Sequence, residues 1–351
     1  MTPRYRVCAC QTIIRPVTED VASPADARAI IRDNLDAALN LMWKGVGTYL
    51  GAVRLVTFPE MFLTLAPVGW RNRPSSDWLE LACLEIPGPE LEPLLNAARE
   101  AGVYIGANAY EFDPRWPGRY FNTSFLVDPN GDVILKYRRL HSSVTPSPHD
   151  FLDEYVAEYG WDALFPVADT ELGRIAMFPC MEVLIPEVAR MYALKGAEVL
   201  LNPTNDSADF PGWTACKQAR ALENNCYLIS TNAGGWLSKR GLLESTNAGG
   251  TIMVDYMGRI FEEARPAGES MKARGLIDIE QLRAHRHSSN VLNVIAQLRT
   301  ELYTGYQQTI TPPNRFKDPM KDHSELRKLY SEVMEKMTRE GIFPRPIYSD
   351  E

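Results

Sequence analysis

Two stretches of this chain carry the same alternation of strand, helix and hairpin, and that alternation limits the fold more than any other feature. In the first, Tyr5–Gln11 reads as a strand, and Ser23–Pro24 is a helix N-cap with proline at the first helical position. Ile31, Leu35, Ala38 and Met42 then recur at helical spacing. Arg54–Phe58 is a second strand ending at Pro59–Glu60, Glu90–Ala101 a helix closed by Gly102, and Val103–Tyr110 a buried-type strand. Tyr120–Asp128, the turn Pro129–Asn130–Gly131–Asp132 and Val133–Leu140 spell a hairpin. The second stretch runs strand Gly173–Pro179, helix Pro186–Lys195, strand Glu198–Pro203, helix Trp213–Asn224 and strand Cys226–Asn232. A hairpin over Gly249–Glu263, turning at Asp255–Gly258, and a strand over Ser270–Ile279 complete it. Helices outside two face-to-face sheets would bury every apolar face.

Residues from about Ser288 onward break the pattern. Leu326, Leu329, Tyr330, Val333, Met334 and Met337 form an apolar helical stripe. It suits packing against the same chain or a contact between subunits. The expected division is therefore a domain over residues 1–287 and a helical and extended C-terminal extension over 288–351.

Charge and cysteine usage exclude several functions. A net charge of −8 without a lysine or arginine run argues against a nucleic-acid surface. No apolar run approaches the roughly 18 residues of a membrane span, and the first residues lack a signal-peptide pattern. Six cysteines without a CxxC pair suggest neither a disulfide framework nor a metal site. A cytoplasmic protein with reduced cysteines is expected.

Three positions at strand ends carry chemistry, the place where open α/β sheets bind ligands. Glu60 lies among Phe58, Pro59, Met61 and Phe62, where desolvation raises a carboxyl toward a general base. Cys180 stands where a strand passes into a helix, so the helix dipole is expected to favour thiolate and to aim N–H groups at an oxyanion. The third is "LKYRRLH", with Lys136, Arg138, Arg139 and His141. Alternation puts Tyr137, Arg139 and His141 on one face and Lys136 and Arg138 on the other.

With these three in order, the sequence resembles the nitrilase superfamily over roughly residues 5–280. "FPE" with Glu60 fits the glutamate of that family's Glu–Lys–Cys triad, and "CMEVLIPEVAR" fits its cysteine motif. "NPTN" (Asn202–Asn205), "ARALENNCYLISTN" and "GGTIMVDYMGRI" resemble the blocks that follow. The resemblance implies a four-layer αββα sandwich, no metal, no organic cofactor, and a homodimer or larger homo-oligomer.

The resemblance breaks at one residue. "YRRLH" has Arg139 where the family's lysine is expected. Arginine stays charged and offers a rigid fork of donors, but does not give up and recover a proton as lysine does. Either Arg139 supplies the electrostatics, or a bulge turns Lys136 inward, or hydrolysis is lost. The strand geometry favours Arg139 facing Cys180. The family often has a second acid between these blocks; among Asp150, Asp153, Glu154 and Glu158, Glu154 has the best spacing. Met181, Glu182 and Asn205 are the expected substrate contacts. The acidic and apolar loop Thr204–Trp213, with Asp206 and Asp209, suggests a neutral or cationic substrate.

The expected reaction is cleavage of a non-peptide carbon–nitrogen bond of a small molecule (amide, N-carbamoyl compound or nitrile) through a Cys180 thioester. An acyltransferase using the same site and a non-catalytic homologue are the alternatives.

Overall fold

The computed structural model describes all residues except 1–3, 48–51, 68–73, 143, 208–209, 239, 245–247, 272, 289–290, 292, 323 and 346–351. Asp209 of the expected substrate loop lies outside the described residues.

The first stretch folds as β1 (Arg4–Ala9), β2 (Ile13–Ile14), α1 (Pro24–Val46), β3 (Val53–Thr57), α2 (Ser75–Ala82), α3 (Glu92–Ala101), β4 (Tyr104–Phe112), β5 (Tyr120–Val127) and β6 (Val133–Arg138). The second contains α4 (Leu152–Tyr159), β7 (Ala168–Thr170), β8 (Gly173–Met177), α5 (Pro186–Leu194), β9 (Val199–Thr204), α6 (Pro211–Asn224) and β10 (Tyr227–Asn232). It continues with β11 (Gly235–Leu237), β12 (Leu243–Glu244), β13 (Ile252–Val254), β14 (Ile260–Glu263), β15 (Leu276–Asp278) and α7 (Ile279–His287), and α8 (Ser324–Arg339) follows. One sheet has the order β15-β1-β3-β4-β5-β6, the other β14-β13-β10-β9-β8-β7.

Local chemistry sets the helix ends. Ser23 accepts the Asp26 N–H at the start of α1, with Pro24 next. Gly102, at φ 62°, closes α3 in the left-handed region.

Strand alternation then sorts side chains between layers. Cys8 and Val56 join the core under α1, with Ile31, Leu35, Ala38 and Met42. Val7, Ala9 and Leu55 join the second core, with Ile175, Met177 and Leu200 of the opposite sheet. Helix, sheet, sheet and helix thus form the four-layer αββα sandwich.

The sheets meet closely. Thr57 and Thr231 hydroxyls bond across the seam at 2.6 Å. A Cβ on Gly106 would come within 2.8 Å of Leu201 Cδ1 and 3.3 Å of Met177 Cε. Glycine there permits the approach.

The C-terminal extension is strapped back onto the same chain. Asn314 and Phe316 N–H groups donate to the carbonyls of His149 and Asp150, and Ser75 N–H to that of Lys321. Leu326, Leu329 and Met337 of the stripe are buried, whereas Tyr330 and Met334 are exposed.

Candidate active site

Glu60, Arg139 and Cys180 come together where strands of both sheets end. Glu60 follows β3, Arg139 follows β6, and Cys180 follows β8. Glu60 and Arg139 are almost fully buried, and Arg139 Nη1 donates to Glu60 Oε1 at 3.2 Å. Asn122 Nδ2, from β5, donates to the same oxygen at 2.9 Å. The Cys180 thiol lies close enough to the Glu60 carboxylate for each to act on the other's proton affinity. A carboxylate thus faces a thiol and is flanked by a fixed cation and an amide.

The cross-strand register explains why arginine is the inward cation. Thr123 pairs with Arg138 and Ser124 with Tyr137, while Arg139 N–H donates to Asn122 O. Arg139 therefore falls on the face of Asn122, Ser124 and Tyr137. Lys136 and Arg138 take the other face, where Lys136 Nζ binds Glu111 Oε1 at 2.8 Å and Ile86 O at 2.9 Å. Arg138 Nε binds Glu111 Oε2 at 2.8 Å. The register shift of this pair lies between Leu126 and Val127, opposite Val133–Leu135 and before Lys136. No bulge therefore turns Lys136 inward, and as a site cation it is corrected: its charge serves Glu111.

Backbone strain aims the thiol. Cys180 has φ 42°, and Met61 beside Glu60 has φ 52°. Such values are unusual for residues with a side chain and are held only where surroundings enforce them. Asn108 Oδ1 accepts Met61 N–H at 2.9 Å, and Asn202 Nδ2 donates to Phe178 O at 3.0 Å and Cys180 O at 3.4 Å. Asn108 Nδ2 also donates to Asn122 Oδ1 at 2.7 Å, tying the support of Met61 to the amide that holds Glu60.

The electrostatics differ from the expected thiolate at a helix dipole. Cys180–Leu184 form a five-residue 3-10 turn, and α5 begins only at Pro186. Burial, then the Glu60 carboxylate, push the thiol up to about 12, with Arg139 opposing. Burial raises the Glu60 carboxyl, while Arg139, Asn122 and Cys180 pull it down. Burial thus works against charge on both groups, and Arg139 works for it.

Glu182 and Glu154 sit differently from expectation. Glu182 is fully buried; one of its oxygens acts as a strut, and the other, Oε2, has no hydrogen-bond partner among the described residues. Its Oε1 accepts from Tyr137 Oη at 2.8 Å, Leu140 N at 3.1 Å and His141 N at 2.9 Å, and lies 3.1 Å from His141 Nδ1. The turn that carries Cys180 thereby holds the segment that carries Arg139, whose Nε donates to His141 O at 2.8 Å. Glu154 is exposed on α4 and its charge acts on Arg119, because the solvent face of a short amphipathic helix turns it outward. Asp150 is engaged in a capping box with Ser147.

Of the remaining expected contacts, Met181 adjoins the nucleophile with its side chain 43% exposed, open to a ligand. The Asn205 backbone lies beside Cys180 and favours its thiolate. Asn122 and Asn108 were not anticipated; the available signal was amides inside otherwise apolar strands, "VYIGANAY" and "YFNTSFLVD".

Comparison with known proteins agrees with this geometry. The family model for carbon–nitrogen hydrolase matches residues 31–286. A formamidase of Bacillus cereus (strain AH820) is 33% identical over 214 residues, 60% of this chain and 59% of the relative. The chain thus spans less than two thirds of the length of the curated relatives it matches. A Saccharomyces cerevisiae member of branch 10 of the nitrilase superfamily has a similar structure, with a TM-score of 0.60 and 19% identity, covering 82% of this chain and 95% of that one. An amidase from Nesterenkonia sp. AN1 superposes with a TM-score of 0.55 and 20% identity, covering 86% of this chain and 99% of that one. The match over residues 31–286 places the chain in the carbon–nitrogen hydrolase family, and the sandwich gathers a glutamate, a cation and a cysteine at its strand ends.

Proposed function

We propose that the chain hydrolyses a small amide through a thioester on Cys180. The observation that carries this reading is Glu60, buried against the thiol and held on one oxygen by Arg139 and Asn122. Glu60 takes the thiol proton as sulfur bonds to the amide carbon. Arg139 and the Met181 N–H face the oxygen that gains charge. Glu60 returns the proton to nitrogen, the carbon–nitrogen bond breaks, and ammonia leaves. Glu60 next takes a proton from water as the hydroxide adds to the thioester. The carbon–sulfur bond breaks, and the acid and the thiol are regenerated. Arg139 keeps its protons throughout, so Glu60 alone carries the proton traffic.

The formamidase and amidase relatives support a small amide over a nitrile or N-carbamoyl compound. The test is ammonia release from formamide, acetamide and longer amides, with mass analysis for an acyl adduct on Cys180. Glu60→Gln keeps the size and polarity of the side chain and is expected to melt like the parent while losing about 10²–10⁴-fold in turnover. No ammonia and no adduct from any amide would overturn the reading. So would full activity in Glu60→Gln.

A further inference from the structure

Behind the nucleophile lies a second buried ion pair. Lys217 Nζ on α6 meets Asp206 Oδ2 at 2.7 Å, and both side chains are only 3% exposed. Asp206 is also clamped by its backbone: its N–H donates to Asn232 Oδ1 and its carbonyl accepts from Asn232 Nδ2, each at 3.0 Å. The backbone of the residue before it, Asn205, favours the Cys180 thiolate, and Thr204 O accepts Glu60 N–H at 3.4 Å. Residues 204–206 therefore touch both partners of the proton transfer. A cavity of about 310 Å³ opens on the pair, lined by Trp213, Gly249 and Arg265 among others.

We propose that Lys217 is a positioning residue for the Cys180 reaction: it holds Asp206 in place, fixing the Asn205 backbone beside sulfur, and offsets the negative charge that Asp206 presents to the nucleophile. The proposal deepens the amidase reading and rests on it for the identity of the nucleophile. The charged or titratable groups facing Cys180 are Glu60 after β3, Tyr110 on β4, Arg139 after β6 and Asp206 after β9. Arg139 already serves Glu60 at 3.2 Å. Asp206 already opposes the Cys180 thiolate with Lys217 beside it, and removing the lysine would leave that anion unopposed. The acidic loop that suggested a cationic substrate is, at Asp206, already paired with a lysine of the same chain.

The test is the rate of Cys180 alkylation by iodoacetamide from pH 7 to 10, read by peptide mass, which needs no turnover. Lys217→Met is expected to slow alkylation about tenfold at pH 9, equivalent to one unit of thiol pKa. Lys217→Arg restores the rate. In Lys217→Ala, ethylammonium entering the adjoining cavity restores it and ethanol does not. Asp206→Asn keeps the hydrogen bond from Lys217 but removes the anion, and is expected to alkylate faster than the parent. That variant decides the matter if the Lys217 variants do not fold. Parental rates in Lys217→Met, or a loss that neither arginine nor ethylammonium repairs, would reduce Lys217 to a structural role. An Asp206→Asn protein no faster than the parent would overturn the charge argument. If no amide is turned over, the hydrolase reading fails, while these alkylation ratios still decide the role of Lys217.

Discussion

Removing the Arg139 side chain should destabilise the protein in a way that depends on pH and on Glu60. The two groups are 5% and 2% exposed and 3.2 Å apart. Breaking a buried ion pair by deleting one partner costs about 3–5 kcal/mol when the remaining charge stays ionised. Glu60 can escape that cost by taking a proton. Its folded pKa already lies above the ordinary value because burial outweighs its partners. A raised carboxyl favours the folded state most fully below its unfolded pKa of about 4.3, and that advantage is lost as pH rises through the folded value. Arg139→Ala raises the folded pKa further. The deficit against the parent should therefore be smallest at pH 4.5 and grow to about 3 kcal/mol or more by pH 8. Urea unfolding of the parent, Arg139→Ala, Glu60→Gln and the double variant reads this directly. At pH 8 the Glu60→Gln background should remove about 2–3 kcal/mol of the Arg139→Ala cost, and less at pH 4.5. A deficit flat with pH, or one that Glu60→Gln leaves untouched, would refute the coupling. Arg139→Lys should keep most of the stability, since a cation remains to face Glu60.

Three further outcomes separate the site from its surroundings. Lys136→Met should cost about 1 kcal/mol or less, because Lys136 is 30% exposed and Arg138 still holds Glu111, and it should leave Cys180 alkylation unchanged; a dead but folded variant would return Lys136 to the site. At pH 7, N-ethylmaleimide should modify the half-buried Cys216 before Cys180, whose thiol burial pushes up to about 12; peptide mapping with the reverse order would show a thiolate at rest. Glu182→Leu strands the buried Tyr137 hydroxyl and the Leu140 and His141 N–H groups, so a loss of at least about 3 kcal/mol is expected in denaturant melts; a parental melt would mean that Glu182 is not a strut.

Much of this arrangement was legible in the sequence because it is local. Apolar periodicity and turn chemistry gave the strand, helix and hairpin order. The side-chain period of a strand separated Arg139 from Lys136, since no bulge intervenes between Leu135 and Arg138. The role of Glu182 was not legible. Next to a nucleophile it reads as a substrate contact, and only the return of the Leu140–His141 segment to Cys180's turn makes it a strut. The partnership of Asn122 with Glu60, 62 positions apart, likewise depends on which strands become neighbours. The surroundings of Cys180 were hidden for a related reason. The helix following Cys180 was visible, but the intervening 3-10 turn and the depth of burial were not.

The seam between the sheets sets more than stability. Glu60 and Arg139 belong to one sheet and Cys180 to the other, so neither half of the chain contains a complete proton path. Gly106, with Leu201 Cδ1 only 2.8 Å from where its Cβ would stand, acts as a spacer of zero thickness between them. A single methyl group there would meet the ends of the Leu201 and Met177 side chains, on the two strands β9 and β8 that lead into residues 204–206 and Cys180. In the proposed reaction a misplacement of about 1 Å can cost about 10²-fold in rate, so turnover would report how the two sheets sit against each other.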